Sequence, residues 1–527
     1  MNRQDLCEVL SCREDLQKNL FIRGFLITDQ SIENVNSFPF YGNWEFAYHG
    51  GFCFAHHVLA DNCALYESDG KLFFLMGHAY NPFTMEYRER SLLEYLAAAY
   101  GTEEYLNRIN ELTGVFVLGS LVDGKLEFLT DPSGMQSACY GVVDGKFYLS
   151  SHAQLIGDLC GLQMDPLVKE LVEYKWYRRV MGSYLPADLT PFAQVKRAVP
   201  NIRYWLKEKT VEHKRFWPTE DAIPADNARD YDDVIDQAAM ILKNNMALIP
   251  KKWERPWISL TGGIDSNTTF AAANGCYEGY QSFSYVSAEK EIPDAEAAKR
   301  ISERFHVPHH VYHIPDRNED VADFEIIRDI LRHNNGYVAE RNDNETRKRA
   351  YLQNAAGCDV EVKSWTSETI RCYWYKHFDR KTMPGLSPKL YRNLYKIFIM
   401  NRRLAHKVDR VFEEYLDKYA YYQIPGSYPA ADIHFNEVTW GSWGGTSISE
   451  MKHSFDLTVP YNNRRFLELM FRVPMEKRIS DQHHLDLKKV LNRELFDMNI
   501  RVVNMKETRF RAFMLNIIFT INSWLPF

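Results

Sequence analysis

One segment constrains this chain more than any other: Trp257-Ile-Ser-Leu-Thr-Gly-Gly-Ile-Asp-Ser266, followed by a helix-forming run that Asn274-Gly275 can stop. An apolar strand ends in two glycines, a carboxylate and a hydroxyl, and the chain then turns directly into a helix. Such a turn points backbone N–H groups and the positive helix end at one place, which suits a polyphosphate. Gly262 and Gly263 permit close backbone approach and left-handed dihedrals. Thr261 and Ser266 offer hydroxyl donors, and Asp265 is placed to hold a magnesium ion beside the phosphates. A Walker A loop requires Lys before the final Ser or Thr, and Asp265 stands there instead. The bland alternative is a tight strand-to-helix turn that merely uses glycine.

At 527 residues the chain exceeds what one core usually fills, so two domains are expected, over 1–215 and 228–527. The first reads as β-rich: apolar runs at 71–75, 114–119, 125–129 and 146–149 are separated by Asp-Gly turns at 123–124 and 144–145. Helical spacing at 88–100 and 166–181 interrupts them, which predicts a layered α+β sandwich. Prolines and acidic residues at 216–226 mark a linker. Beyond it, helical spacing over 231–248 leads into strands at 257–260, 281–286 and 309–314 that alternate with helices. That alternation predicts a parallel sheet with its ligand at the strand C-terminal ends, where 261–266 falls.

A net charge of −7 argues against a protein built mainly on nucleic acid. Nine cysteines with no CxxC pair or zinc spacing fit reduced thiols in the cytoplasm. No apolar run reaches a membrane span. The apolar stretch 513–527, poor in basic residues, reads as a helix docked on the core rather than a membrane-surface anchor.

The Ser/Thr-Gly-Gly-aliphatic-Asp-Ser order resembles the pyrophosphate loop of N-type ATP pyrophosphatases, and the whole chain resembles the glutamine-dependent asparagine synthetase family. That resemblance implies an Ntn-hydrolase-like α+β glutaminase domain followed by an α/β ATP-pyrophosphatase domain of the adenine nucleotide α-hydrolase type, with ATP and Mg2+ as cofactors. Segments 455–461 and 486–496 resemble the family's later strand and helix, and 503–507 falls where the family places a lysine on the pyrophosphate, which nominates Lys506. Its flexible ammonium would stabilise charge that develops in the transition state; an isolated surface lysine is the alternative.

The first domain departs from the family. Where the family has its terminal cysteine nucleophile, this chain has Arg23 inside Ile22-Arg-Gly-Phe25, and the glutamine-holding Asn and Glu are replaced by Met76 and His78. Segments 131–134 and 148–151 still resemble the closing strands. Cys7 and Cys12 precede no matching strand, so the glutaminase is expected to be dead. In the second domain Glu368 falls on the family's Glu, and Ser367 falls on its Asp. This Ser-Glu-x-x-Arg-x-Tyr segment resembles asparagine-synthetase-like proteins of bacterial surface-glycan gene clusters.

Glu368, Arg371 and Tyr373 share roughly helical spacing, and Arg371 can clamp a carboxylate bidentately. A surface helix start capped by Ser367 is the competing reading. Asn334 and Asn335, in an amide-rich stretch at 332–347, suit an amino-acid-like ligand, although turns also favour Asn and Gly. The doublets His56-His57, His309-His310 and His483-His484 lack helical ligand spacing and are assigned to packing or solvent.

Three functions follow. The first is an ATP-dependent carbon–nitrogen ligase that adenylates a carboxylate, with Glu368 and Lys506 as catalytic residues. Its amine would be ammonia, a second substrate or an amine of the same molecule, as in the similar β-lactam synthetase and lasso-peptide cyclase; glycan-linked and peptide substrates both fit, and a homodimer is left open. The second is a non-catalytic nucleotide- or ligand-binding relative. The third is oxygen or sulfur chemistry on nucleic-acid bases, which the acidic charge opposes.

Overall fold

A computed structural model describes residues 2–60, 62–179, 182–500, 502 and 505–524, without the side chains of 505–509. The N-terminal part is an α+β sandwich. One antiparallel sheet runs Val195–Arg197, Cys139–Val143, Lys146–Ser150, Phe25–Thr28, Phe52–His57, Trp44–His49; the other runs Thr210–Arg215, Ile202–Lys207, Lys125–Thr130, Thr113–Val122, Lys71–Tyr80, Ala64–Ser68. Alternate residues face opposite ways along each strand. Thus Ile27, Phe54, Phe74, Val117 and Leu149 fill the space between the sheets. Their neighbours Leu26, Ala55 and Tyr148 pack outward against the helices Arg3–Cys12 and Ala153–Cys160. On the opposite outer face, Phe73, Leu75, Phe116 and Leu118 meet the helices Glu89–Ala97 and Glu103–Asn110. Both sheets are covered on both faces, which explains apolar runs without strict polar alternation.

The C-terminal part is α/β. Its five strands are all parallel and lie in the order His309–His313, Gln281–Val286, Pro256–Ser259, Val360–Val362, Asp456–Thr458. From Pro256–Ser259 the chain moves outward through two strands, then returns to pair Val360–Val362 on the other side of Pro256–Ser259. Strand order therefore reverses at Pro256–Ser259, and the crevice beyond its carboxyl end is where open α/β sheets bind ligands. The 261–266 turn occupies that position.

Three expected helices differ in extent. The helix expected over 166–181 is Pro166–Glu173, because Tyr174 turns extended and its hydroxyl donates to the Phe398 carbonyl at 3.1 Å. The one expected over 486–496 breaks at Asn492 into Gln482–Leu491 and Arg493–Asp497; the Asn492 side chain accepts from Leu495 N at 2.9 Å, capping the second helix. The C-terminal run forms the helix Met505–Trp524, docked through buried Leu515 and Phe519, with Asn522 Nδ2 donating to the Ile397 carbonyl at 2.7 Å. Among the described residues no helix is long and apolar enough to cross a membrane.

The two parts are joined through buried polar contacts. Arg215 ends the last strand of the sandwich and holds Glu437 bidentately at 2.8 and 2.9 Å, while Asn201 and Tyr421 donate to the same carboxylate. Glu437 projects from the π-helix His434–Gly444. Nearby, Tyr80 and Thr458 share a hydrogen bond of 3.0 Å between the two halves.

Candidate active site

The turn at 261–266 is open to solvent through Thr261 and partly through Gly263 and Asp265. A cavity of ≈ 330 Å³ lies over it, lined by the loop, by Ser284, Glu291 and Asp294 of neighbouring segments, and by Lys363 and Glu368 across the switch point. The helix Ile264–Ala272 starts at Gly263, which supplies no capping side chain, so first-turn N–H groups face the mouth of this cavity.

Of the two expected uses of the glycines, close approach holds at Gly262 and left-handed backbone does not. Neither takes a left-handed conformation; Gly263 has φ −75° and ψ 152°. Gly262 is needed for space, since a Cβ there would stand 2.3 Å from Val502 Cγ2 and 2.7 Å from Val502 Cβ. Val502 N also donates to the Gly262 carbonyl at 3.1 Å, tying the segment before the last helix to the loop. Nor are the loop's backbone donors all free. Gly262 N donates to Asp294 Oδ1 at 3.0 Å, Gly263 N to Thr261 Oγ1 at 3.0 Å, and Thr261 N to Ser266 Oγ at 3.2 Å. Local acceptors thus hold the loop in shape, and an incoming phosphate would exchange with them.

Asp265 sits at the centre of an ion-pair cluster. Its Oδ1 accepts the Ser367 hydroxyl at 2.6 Å and has His484 Nε2 at 3.4 Å; its Oδ2 is paired with Arg371 Nη1. Arg371 is in turn gripped by Asp481, Nε to Oδ1 at 2.7 Å and Nη2 to Oδ2 at 3.0 Å, and Lys376 pairs with the same Asp481. Burial works to raise the Asp265 carboxyl, but the Arg371 charge, His484 and the Ser367 hydroxyl overcome it and hold the group below the usual carboxylate range. Burial pushes the His484 imidazole down toward its neutral form despite Asp265.

These residues do not fit the magnesium ion expected on Asp265. Both carboxylate oxygens are engaged, one by a fixed guanidinium and the other by the Ser367 hydroxyl, which adds no second carboxylate beside it. Among the described residues no group of three His, Cys, Asp or Glu is arranged to hold a metal ion.

Glu368 lies between two spaces. It lines the cavity over the loop and also a second one of ≈ 400 Å³ shared with Arg371, Tyr373, Lys376, His377 and Arg511. Its Oε2 is buried without a hydrogen-bond partner. Desolvation, reinforced by the Asp265 charge and opposed by Arg371, pushes its carboxyl up to about 8. Tyr373 forms one wall, stacked on Phe435 with ring centroids 4.4 Å apart. The 3-10 turn Ser367–Arg371 and the helix Tyr373–His377, joined at Cys372 with φ 53°, bring Glu368, Arg371 and Tyr373 to this one cavity.

Asn334 and Asn335 are not part of this group. Asn334 accepts from Phe21 N at 3.0 Å and donates to the Asn19 carbonyl at 3.1 Å; Asn335 donates to the Ala339 carbonyl and to Glu450. They line a separate small cavity beside Ser151 and His152 of the sandwich. Lys506 lies on the helix Met505–Trp524, and its side chain is outside the described residues.

Residues 258–350 match the family model described as asparagine synthase. Over that segment the chain is similar to the asparagine synthase family. The matched segment includes the whole 261–266 loop. No curated protein matches the chain. Among solved structures it is similar to the allosteric regulatory enzyme of purine biosynthesis, with 10% identity over 56% of this chain and 76% of that one and a TM-score of 0.24. It is also similar to glutamine phosphoribosylpyrophosphate amidotransferase from B. subtilis in complex with ADP and GMP, with 11% identity, 69% and 73% coverage and a TM-score of 0.23. A third is glutamine-dependent NAD+ synthetase from Acinetobacter baumannii in complex with ADP, with 13% identity, 42% and 39% coverage and a TM-score of 0.20.

Four contributors were not legible in the sequence: Asp294, Lys363, Asp481 and His484. Asp294 fixes the loop through Gly262 N, and Lys363 reaches the cavity while paired with Glu361 at 2.7 Å. Of the histidine doublets, His484 is the one that faces the loop's carboxylate. His310 instead stacks on Trp257 at 4.6 Å. The charged string around Asp481-Gln-His-His484 was the available signal, though nothing local connects it to Asp265.

Proposed function

We propose that this chain is an ATP-dependent ligase that forms an amide from a carboxylate and an amine, releasing AMP and pyrophosphate. One observation carries the reading: the 261–266 loop stands at the switch point of the parallel sheet, below a cavity, inside the segment matched by the asparagine synthase model. The substrate carboxylate oxygen attacks the α-phosphorus of ATP, and the bond to the bridging oxygen breaks. Pyrophosphate leaves on the Thr261 and Ser266 hydroxyls, the Gly262 and Gly263 backbone and Lys506. The amine then attacks the acyl-adenylate carbon, AMP departs with the electron pair of the C–O bond, and the amine gives up a proton. Glu368, raised toward neutrality and open to both cavities, is the base suited to take that proton. The cavity on the far side of Glu368, with Tyr373 and Arg511 in its walls, is the site for the acyl substrate.

Glutamine does not supply the amine in this reading. Arg23 stands at the nucleophile position, and its Nη1 is bonded to the Lys452 carbonyl of the other half. His78, in place of the glutamine-holding carboxylate, is buried 3.6 Å from Asp456. A second reading, a nucleotide-binding relative without turnover, draws on the engagement of Asp265 by Arg371. Exchange of labelled pyrophosphate into ATP across a library of carboxylates separates the two. The ligase reading expects carboxylate-dependent exchange that falls by about 10²-fold or more in Asp265→Ala, with no ammonia released from glutamine. Exchange absent with every carboxylate, alongside tight ATP binding, supports the second reading.

A further inference from the structure

We propose that Arg371 is the resident cation of the phosphate site, standing on Asp265 where a divalent ion would otherwise bind. The proposal deepens the ligase reading and rests on it for the nucleotide, but not for the ion.

Three features of the cluster support it. First, Arg371 is fixed rather than reaching opportunistically. Asp481 holds it through two N–H donors at 2.7 and 3.0 Å, which orients Nη1 onto Asp265 Oδ2. A planar guanidinium bound in this bidentate way cannot turn from its partner without losing both bonds together. Second, the remaining Asp265 oxygen is occupied by the Ser367 hydroxyl at 2.6 Å, so both oxygens of this carboxylate are engaged. Third, the ion pairs balance without a metal: the two carboxylates Asp265 and Asp481 face the two cations Arg371 and Lys376. Removing only the guanidinium would leave Asp265 and Asp481 without the counter-charge they share, and carboxylate oxygens are the ligands a hard cation takes. The guanidinium has N–H donors beyond the three that bind the two aspartates, and Arg371 lines the cavity on the far side of Glu368.

The decisive experiment has an ion arm and a nucleotide arm. In the first, Mn2+ is added to the full-length, nucleotide-free protein and its bound fraction is read by electron paramagnetic resonance. Wild type is expected to bind no Mn2+ at Asp265, Arg371→Lys to behave likewise, and Arg371→Met to gain an ion that Asp265→Asn in the same background removes. A wild-type Mn2+ signal that Asp265→Asn abolishes overturns the proposal, as does a folded Arg371→Met that gains no ion. In the second arm, calorimetry compares ATP binding to wild type in EDTA and in excess Mg2+. The affinities are expected to agree within about threefold, and tightening by about tenfold or more with Mg2+ overturns the proposal. Absence of ATP binding in both buffers would instead defeat the ligase reading, and the Mn2+ arm would still decide the role of Arg371. Should Arg371→Met fail to fold, the wild-type measurements of both arms carry the decision.

Discussion

Glu368 illustrates how position shifts an ordinary carboxyl. Its pKa is raised first by desolvation and next by the Asp265 charge, to about 8, so it holds its proton well above the usual carboxylate range. Amide formation that uses it as base should therefore rise with pH through about 8. Glu368→Gln is expected to abolish that limb and lower turnover by about 10²-fold or more, a loss read from the pH–rate profile. The same shift has a stability consequence. Between 4.5 and about 8 the native state holds a proton the unfolded chain has lost, so folding becomes less favourable as pH rises through that window. The melting temperature of Glu368→Gln, measured against wild type, should thus increase from pH 5 to pH 8.

At the scale of elements, the strand–loop–helix at 256–272 was legible because everything that makes it is local: an apolar strand, a glycine pair, and an uncapped helix start. What held the loop in place was not. Gly262 is required because Val502, hundreds of residues downstream, packs where its Cβ would be. Asp294 comes from one further helix and Asp481 and His484 from the start of another, and they meet the loop only once the sheet has assembled. The Glu368–Arg371–Tyr373 spacing did indicate one shared cavity, although through a 3-10 turn and a left-handed Cys372 rather than a regular helix. The asparagines at 334 and 335 lie apart from this site, where their amide side chains bond to backbone groups of Asn19, Phe21 and Ala339. Gly262→Ala should displace either the loop or the 502 segment. The expected destabilisation is about 1–3 kcal/mol, seen in denaturant unfolding, together with loss of nucleotide binding.

Across the whole molecule, the sandwich and the parallel-sheet unit act as one folded body. The Arg215–Glu437 pair is fully buried where they meet, and Asn201 and Tyr421 complete the carboxylate's hydrogen bonds. Cutting one partner leaves a buried guanidinium uncompensated, so Glu437→Ala is expected to cost about 3–5 kcal/mol in equilibrium unfolding. Lost stability within a few tenths of zero would mean that the two halves are held together elsewhere. The sandwich thereby has a clear structural use: it supports the π-helix His434–Gly444 behind the second cavity.

The central claim is that the 261–266 turn receives the outer phosphates of a nucleotide, and calorimetry with ATP and AMP tests it without knowledge of the acceptor. ATP is expected to bind about tenfold or more tightly than AMP, with the difference largely removed in the double variant Thr261→Ala, Ser266→Ala. Equal affinity for the two nucleotides, or a preference for ATP that survives those substitutions unchanged, would contradict it.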